Sequence, residues 1–460
     1  MAQFYYKGET KVRPGVYQRY STEQVVEERS YDGYVAFILS CNWGPTGKVT
    51  VHKTADSVKE TYGDNDSTKA VAKAFEGGAT TVYCYRPLGT GGAAATVAAD
   101  SKINFTAKYV GNVTISVKVQ AKVGDATKNQ VIVSFGTNVV ETFEYVTTSA
   151  TLDTVIEAVA ESKYIVATKV ESATGTLSTG TYSLANGANA TLANEDYGLA
   201  LTAFEPYYYN VVVTDTTSST VAAVLRAYVD TAQTEGKSVM AVIGDTTATA
   251  FATRADAAAA CNNEKVVYFA SGWKDANGND VKGVNAIAYV AGAIAGTPTT
   301  RAITRTTIDG ASDVIERLTN AQYETAVKKG LLLVSAGPSG EVWFDSGINT
   351  LITPNENQDD GWKKIKRVKT RFELMARIED ELSPKVGTVN ADTDGVAYLA
   401  QCGGGVVEDM IAEGKLSSGA FYEDIENPHT VDSVWFIIEA TDIDSIEKIY
   451  LHYKFSYAQN

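Results

Sequence analysis

Residues 31–87 constrain the fold more than any other part of the chain. Tyr31-Asp-Gly-Tyr-Val-Ala-Phe-Ile-Leu39 is apolar and β-prone, the pattern of a buried strand. Gly44-Pro45-Thr46-Gly47 reads as a turn, because proline presets φ and glycine supplies positive φ. Val49 and Val51 then alternate with polar neighbours. Thr54 can N-cap a short helix over 55–62 that Gly63 stops, and Asp66 can cap a second over 67–76. That second helix would show Ala70, Val71, Ala74 and Phe75 on one face before Gly77-Gly78 ends it. A second buried strand is expected over 80–85. Two buried strands joined through helices predict a crossover and parallel pairing.

The same alternation of strand and helix returns after residue 206. Strands are expected over 211–213, 238–243, 266–269, 330–335 and 342–344, and helices over 219–235, 251–261, 283–296 and 319–329. Between the two α/β stretches, residues 88–205 contain no Cys, Met, Trp, His or Pro and are rich in Thr, Val, Ala and Gly. They read as a small β-rich domain, with strands near 113–119 and 130–135 and one helix over 151–162. From about 355 a last unit follows. A helix over 362–382 carries an apolar stripe at Ile365, Val368, Phe372, Met375, Ile378 and Leu382, and strands are expected over 433–440 and 448–457. In the second strand Ile449, Leu451, Tyr453, Phe455 and Tyr457 would share one face, with His452 opposite. The expected architecture is therefore an α/β core with a mixed, largely parallel sheet (25–87 plus 206–354), an inserted β-rich domain (88–205) and a C-terminal α+β domain (355–460). An extended arm is expected at each end, the N-terminal one over 1–24. That arm is either a frayed terminus or a docking segment, and Phe4, Tyr5, Tyr6, Tyr17 and Tyr20 favour docking.

Composition limits the function classes. A chain of 460 residues is too long for one typical core, and 44% apolar content suits a protein with real cores. A net charge of −15 argues against nucleic acid as the main partner, since phosphate binding needs a basic field. The scattered Cys41, Cys84, Cys261 and Cys402 read as reduced core residues. The N-terminus lacks the order of a signal peptide, and no apolar run approaches the ~20 residues that span a bilayer, so a soluble protein made in the cytoplasm is expected.

Chemical motifs are weak. Gly89-Thr-Gly91-Gly-Ala-Ala94 has incomplete dinucleotide-binding spacing and reads as a linker. Cys402-Gly-Gly-Gly405 reads as a flexible turn, and Asp392-Thr-Asp394-Gly395 as a turn lacking the other calcium-loop carboxylates. His52, His429 and His452 lack metal-ligand spacing, and neither a nucleophile elbow nor a phosphate-binding loop is present. No catalytic residue, cofactor or metal is expected. One run stands apart: Lys363, Lys364, Lys366, Arg367, Lys369 and Arg371 crowd into nine residues without an acid. It is either a solvated helix face or a contact for an acidic partner.

Several motifs, in order, resemble the sheath protein of contractile phage tails and phage-tail-like bacteriocins. They are Arg13-Pro14-Gly15-Val16-Tyr17, Asn42-Trp-Gly-Pro-Thr-Gly47, Ala74-Phe-Glu-Gly-Gly78 with Val82-Tyr-Cys-Tyr-Arg86, Tyr289-Val-Ala-Gly-Ala-Ile-Ala-Gly-Thr-Pro298, and Gly347-Ile-Asn-Thr-Leu351. The family's Ala-Pro-Ala-Asn stretch is replaced by Arg301-Ala-Ile-Thr-Arg305. The resemblance implies a structural protein that polymerises head-to-tail into a helical tube around an inner tail tube and contracts. It implies that Phe4, Tyr5, Tyr6, Val16, Tyr17 and Tyr20 lie on one neighbouring copy, and Tyr453, Phe455 and Tyr457 on another, by strand exchange. It also implies that the basic run faces the tube, that the inserted domain projects outward, and that the other partners are baseplate and tail terminator proteins. Neither nucleic acid nor direct membrane insertion is implied, and the implied location is a virion tail or tail-like particle assembled in a bacterial cytoplasm. Composition alone also allows a surface-layer or adhesin-like protein, which would need a secretion signal, or an α/β enzyme.

Overall fold

The computed structural model describes residues 30–148 and 150–456, together with the backbone of Gln3–Phe4 and Tyr17–Gln18. The chain divides into two units, Met1–Tyr31 and Asp32–Asn460. In the first, Gln3–Phe4 and Tyr17–Gln18 pair as short parallel strands, with Gln3 opposite Tyr17. Tyr5, Tyr6, Val16 and Tyr20, all expected in the arm, lie outside the described residues, as does Tyr457.

The second unit is built on a seven-stranded sheet. Its strands are β1 (Tyr34–Ile38), β2 (Val49–His52), β3 (Thr81–Tyr85), β4 (Val211–Thr214), β5 (Met240–Gly244), β6 (Val266–Phe269) and β7 (Leu331–Leu332), in the spatial order β7-β6-β5-β4-β1-β3-β2. Every pair is parallel except β2 against β3. Successive side chains leave a strand on opposite faces, so a sheet covered on both sides needs an almost continuous apolar strand. Val35 and Phe37 of β1 accordingly face one core and Ala36 and Ile38 the other. Helices α1 (Ala55–Tyr62) and α2 (Asp66–Gly77) cover the first face with the helix Val284–Gly296. The opposite face is covered by the helices Asn194–Phe204, Ser219–Thr234 and Phe251–Ala259.

Local rules set the helix ends. Thr54 caps α1 by accepting from the Ser57 N–H. The cap of α2 is Asn65, one residue before the expected Asp66, and it forms a capping box with Thr68. Close approach explains the glycines between α2 and the helix Val284–Gly296. A Cβ on Gly292 would stand 1.9 Å from the Ala74 carbonyl oxygen, and one on Gly77 would stand 2.2 Å from the Tyr289 carbonyl oxygen.

Residues after β3 leave the sheet and return to it through a two-chain tether. Isolated antiparallel bridges join Thr90 to Thr191, Ala93 to Ala188 and Thr96 to Ala185. Beyond the tether lie two antiparallel sheets, of four and three strands, around a separate core that includes Phe105, Ile115, Val131 and Leu152. The helix of this insertion is Leu152–Ala158, shorter than expected. Trp43, from the main body, is 2% exposed and stacks on Tyr164 of the insertion at 5.8 Å. Residues 194–204, placed by sequence in the insertion without a helix, form the helix Asn194–Phe204 and pack Tyr197, Leu201 and Phe204 on the central sheet. The insertion therefore ends near its last bridge at Thr191 rather than at 205.

The C-terminal region contains two long helices, Ile365–Leu382 and Thr393–Ala412, and a hairpin of β8 (Leu416–Glu423) and β9 (Phe436–Asp442). Three expectations change here. Asp392 is the N-cap of the second helix, accepting from the Gly395 N–H at 2.8 Å, rather than part of a free turn. Cys402-Gly-Gly-Gly405 lies inside that helix, where a Cβ on Gly403 would meet the Phe421 ring at 2.6 Å. Packing against β8 thus outweighs the low helix propensity of glycine. Residues 443–456 carry no strand, although 448–457 alternates like one.

Candidate assembly interface

The two ends of the chain and the basic run are the sites singled out by sequence. At the C-terminal end the structure leaves a long apolar segment uncovered. Ile449 is 78% exposed, Tyr453 70% and Phe455 92%, and the Tyr453 and Phe455 rings stack on each other at 6.1 Å. Exposed apolar side chains in this density mark a candidate contact surface. At the N-terminal end, Phe4 and Tyr17 are placed by backbone only, in the parallel pair already described.

The basic run is not an open cationic face. Lys363 pairs with Asp360 at 2.8 Å, close along the chain. Lys364, Arg367 and Arg371 stand at helical spacing on one side of Ile365–Leu382, and all three meet acids from beyond β9 or its end. Lys364 holds Asp444 at 2.6 Å and Glu447 at 2.9 Å. Arg367 donates Nε and Nη2 to the two oxygens of Asp442 at 2.7 and 2.8 Å, the bidentate fork that guanidinium geometry favours. Arg371 adds a longer contact to Asp442 at 3.4 Å and lies over the Trp362 ring at 4.1 Å. Lys366 donates to Ser445 Oγ at 3.2 Å. Lys369 points the other way, into the body. It reaches Asp32 at 3.1 Å and donates to the Thr297 carbonyl at 2.5 Å, at the C-terminal end of the helix Val284–Gly296, where a cation suits the helix dipole.

Ionisation follows this geometry. Burial alone would raise the Asp442 carboxyl, but the Arg367 hydrogen bonds and the Arg371 charge outweigh it and hold the group below its ordinary value. Burial lowers Lys364, yet Asp444 and Glu447 bring it above the usual lysine value. Burial wins at Lys366 and Lys369, which are both lowered.

A second charged knot lies one and two turns further along the same helix. Glu373 is 4% exposed in its side chain and receives Lys415 at 2.6 Å, Thr299 at 2.6 Å and Arg377 at 2.7 Å. Arg377 also grips Glu413 through a fork of 2.7 and 2.8 Å. Burial would raise Glu373, but the hydrogen bonds from Lys415 and Thr299 leave it lowered. Sequence reading missed Asp442, Asp444, Glu447, Glu373 and Lys415. The available signal was charge asymmetry: 416–447 contains many acids and no Lys or Arg, while 448–460 contains Lys448, His452 and Lys454 and no acid.

The remaining polar constellations find partners within the chain. In a doubly wound sheet, ligands usually enter where strand order reverses, outside the carboxyl ends of the strands. Here that point lies between β1 and β4, and it holds Asp215, which accepts from the Ser40 N–H at 2.6 Å and from the Ser67 hydroxyl. Burial raises the Asp215 carboxyl. His52 lies between Ser57 and Thr50 at 2.8 and 2.9 Å, and His429 meets Glu423 at 2.7 Å. No His, Cys, Asp or Glu group suited to a metal occurs among the described residues. No described helix is long and apolar enough to cross a membrane.

Comparison with known proteins places these features. Residues 190–350 match the family model of the phage tail sheath protein central domain. This span includes four of the seven sheet strands and the Ala-Gly helix Val284–Gly296. The sheath tail protein of Desulfitobacterium hafniense has a similar structure, with a TM-score of 0.75 at 23% identity over 95% of this chain and 99% of that one. The sheath tail protein of Listeria innocua gives 0.67 at 18% identity over 90% and 96%. The helical sheath of the anti-feeding prophage, in its contracted state, gives 0.54 at 12% identity over 97% and 99%. No curated protein matches the chain in sequence. Residues 190–350 thus match the central domain of the phage tail sheath protein, and the fold is similar to that of tail sheath proteins over almost the whole chain.

Proposed function

We propose that this chain is the structural subunit of a contractile tail sheath, a polymer that surrounds an inner tube and shortens to drive it forward. The observation that carries the reading is the sheath-family match to residues 190–350, lying inside a sheath fold that spans 95% of the chain. In this reading the two chain ends are exchanged between neighbouring copies. The N-terminal arm supplies Phe4, Tyr5, Tyr6, Val16, Tyr17 and Tyr20, and the C-terminal arm supplies Tyr453, Phe455 and Tyr457. An extended segment added to a neighbour's sheet gains main-chain hydrogen bonds, while alternate side chains enter pockets. Three large side chains per arm, at roughly 1.5–3 kcal/mol each, give roughly 5–9 kcal/mol before ordering costs. Exposed ion pairs contribute about 0–1 kcal/mol each. The arms therefore persist while polar faces re-pair during shortening.

A contact between the basic run and the tube works differently from what an open patch would allow. An acidic tube has to compete with Asp442, Asp444 and Glu447 for cations that are already paired. The baseplate and a tail terminator would meet the two ends of the polymer, and the insertion would sit on its outside. Negative-stain microscopy of the purified chain tests the reading. Striated tubes support it. Compact particles or flat two-dimensional lattices at polymer-forming concentration and salt would sink it.

A further inference from the structure

The cations of the helix Ile365–Leu382 and the residues that follow β9 form one device. After Asp442 the backbone runs on without a strand partner, yet Ile443, Ser445 and Glu447 turn inward, Ile446 is exposed, and the more exposed Asp444 reaches back to Lys364 at 2.6 Å. That is the two-residue period of an extended chain. Two of the three inward side chains are polar, so apolar burial cannot fix the register. Charge and hydrogen bonding do so instead. Asp442 sits in the Arg367 fork, Ser445 accepts from Lys366, and Glu447 is shared between Lys364 at 2.9 Å and the Thr304 hydroxyl at 2.8 Å. The Ile443 N–H donates to the Lys415 carbonyl at 3.1 Å. Thr304 belongs to the Arg301–Arg305 stretch and also accepts from the Gly347 N–H at 2.8 Å. From Lys448 onward every described residue is exposed.

We infer that residues 442–447 are a charged latch that fixes the root of the C-terminal arm to its own subunit, so that the hinge of the arm begins at Lys448. Lys364, Lys366, Arg367 and Thr304 are positioning residues for the arm, and their partners are Asp442, Ser445 and Glu447. The inference rests on the arm-exchange reading and deepens it: the direction in which the arm leaves becomes a property of the subunit body, set before any neighbour arrives. Shortening of the polymer then bends the chain beyond Glu447 and leaves the latch closed.

Zero-length carbodiimide crosslinking followed by peptide mass spectrometry reads the latch directly, because it joins only an amine and a carboxylate already in contact. We expect a Lys364 link to Asp444 or Glu447 in the free subunit and the same link in assembled tubes. In tubes grown from an equal mixture of nitrogen-14 and nitrogen-15 chains, both halves of the link should carry the same isotope. A link that disappears on assembly, or joins mixed isotopes, overturns the inference. A second measurement uses Lys364→Glu, which brings three acids together. Amide exchange over 443–447 should rise at least tenfold with the central sheet unchanged, tubes should fail or lose regularity, and the swap Lys364→Glu with Glu447→Lys should restore them. Normal tubes from Lys364→Glu alone overturn the latch. Removal of residues 448–460 separates the two ideas. If that deletion abolishes tubes while Lys364→Glu does not, the latch alone fails. If the deletion leaves tubes intact, the arm reading fails.

Discussion

The central sheet and the C-terminal region balance apolar packing and charge differently. The sheet lies between two apolar cores, and α2 meets the helix Val284–Gly296 so closely that glycine is the only residue that fits at 77 and 292. The C-terminal region has a small core of its own, Leu374, Ile378, Val407, Met410 and Leu416, and packs Ile365, Val368 and Phe372 into the first sheet core. Forks of charge through Arg367, Glu373, Arg377 and Lys415 join its own helices and hairpin, while Glu373, Lys369 and Glu447 reach Thr299, Asp32 and Thr304 of the body. Dense packing gives a body with one arrangement, since a packed interior resists even one extra methyl group. Charge gives a region whose contacts depend on pH, salt and partner. In the proposed sheath subunit, this division would put rigidity in the sheet and adjustability beside the proposed arm.

Substitution of Gly292 by Val should have the largest effect. The added Cβ meets backbone rather than a movable side chain, so a cost above ~3 kcal/mol and loss of the cooperative thermal transition are expected. Retention of the wild-type melting temperature would show that the helix contact is looser than described. Arg367→Ala should come next. It leaves the 6%-exposed Asp442 side chain with only the distant Arg371, and because Arg367 is itself partly exposed, about 2 kcal/mol is expected rather than the ~3–5 kcal/mol of a fully buried pair. Chemical denaturation checks this, and the double variant with Asp442→Ala should recover part of the loss.

Acid should divide the two regions by sign. Asp442 and Glu373 are both lowered in the fold, so the stability they contribute is present above the ordinary carboxylate range of about 4 and is lost as pH falls through their lower folded values. Asp215 is raised by burial, so its contribution is full below that range and declines as pH rises through its folded value. Hydrogen exchange from pH 6 to 3 should show the hairpin β8–β9 opening before the central sheet. Simultaneous opening would contradict the contrast. The smallest effect on the central sheet itself is expected from joining residue 89 to residue 192. The central sheet should keep its exchange protection, with a loss of roughly 1.5–3 kcal/mol from the newly exposed Trp43.

Sequence reading was strongest where local rules and burial agree. The apolar strands at 34–38, 81–85 and 266–269, the cap at Thr54 and the alternating architecture were legible because each depends on neighbours in the chain. It erred where partners are distant. Gly403 looked like a turn because nothing nearby reveals Phe421, and the helix Thr393–Ala412 was missed with it. The basic run read as a solvated face or a contact because several of its acids are far off in the chain, Glu447 lying 83 residues after Lys364 and Asp32 337 before Lys369. Residues 194–204 were given to the insertion and their helix was not foreseen, whereas their packing belongs to the sheet. An alternating segment such as 448–457 specifies an extended chain but does not name the edge it joins.

The tether at Thr90–Thr191 has a consequence beyond this molecule's own shape. Its two chains leave and re-enter the body side by side, so the body sees the insertion as a closed hairpin of fixed width. A chain pair of that width adds almost the same closure entropy whatever lies beyond it, because the dependence on loop length is only logarithmic. A foreign domain whose own termini are adjacent can therefore replace the native one at this socket, and each subunit of a polymer would carry one copy of it at regular intervals.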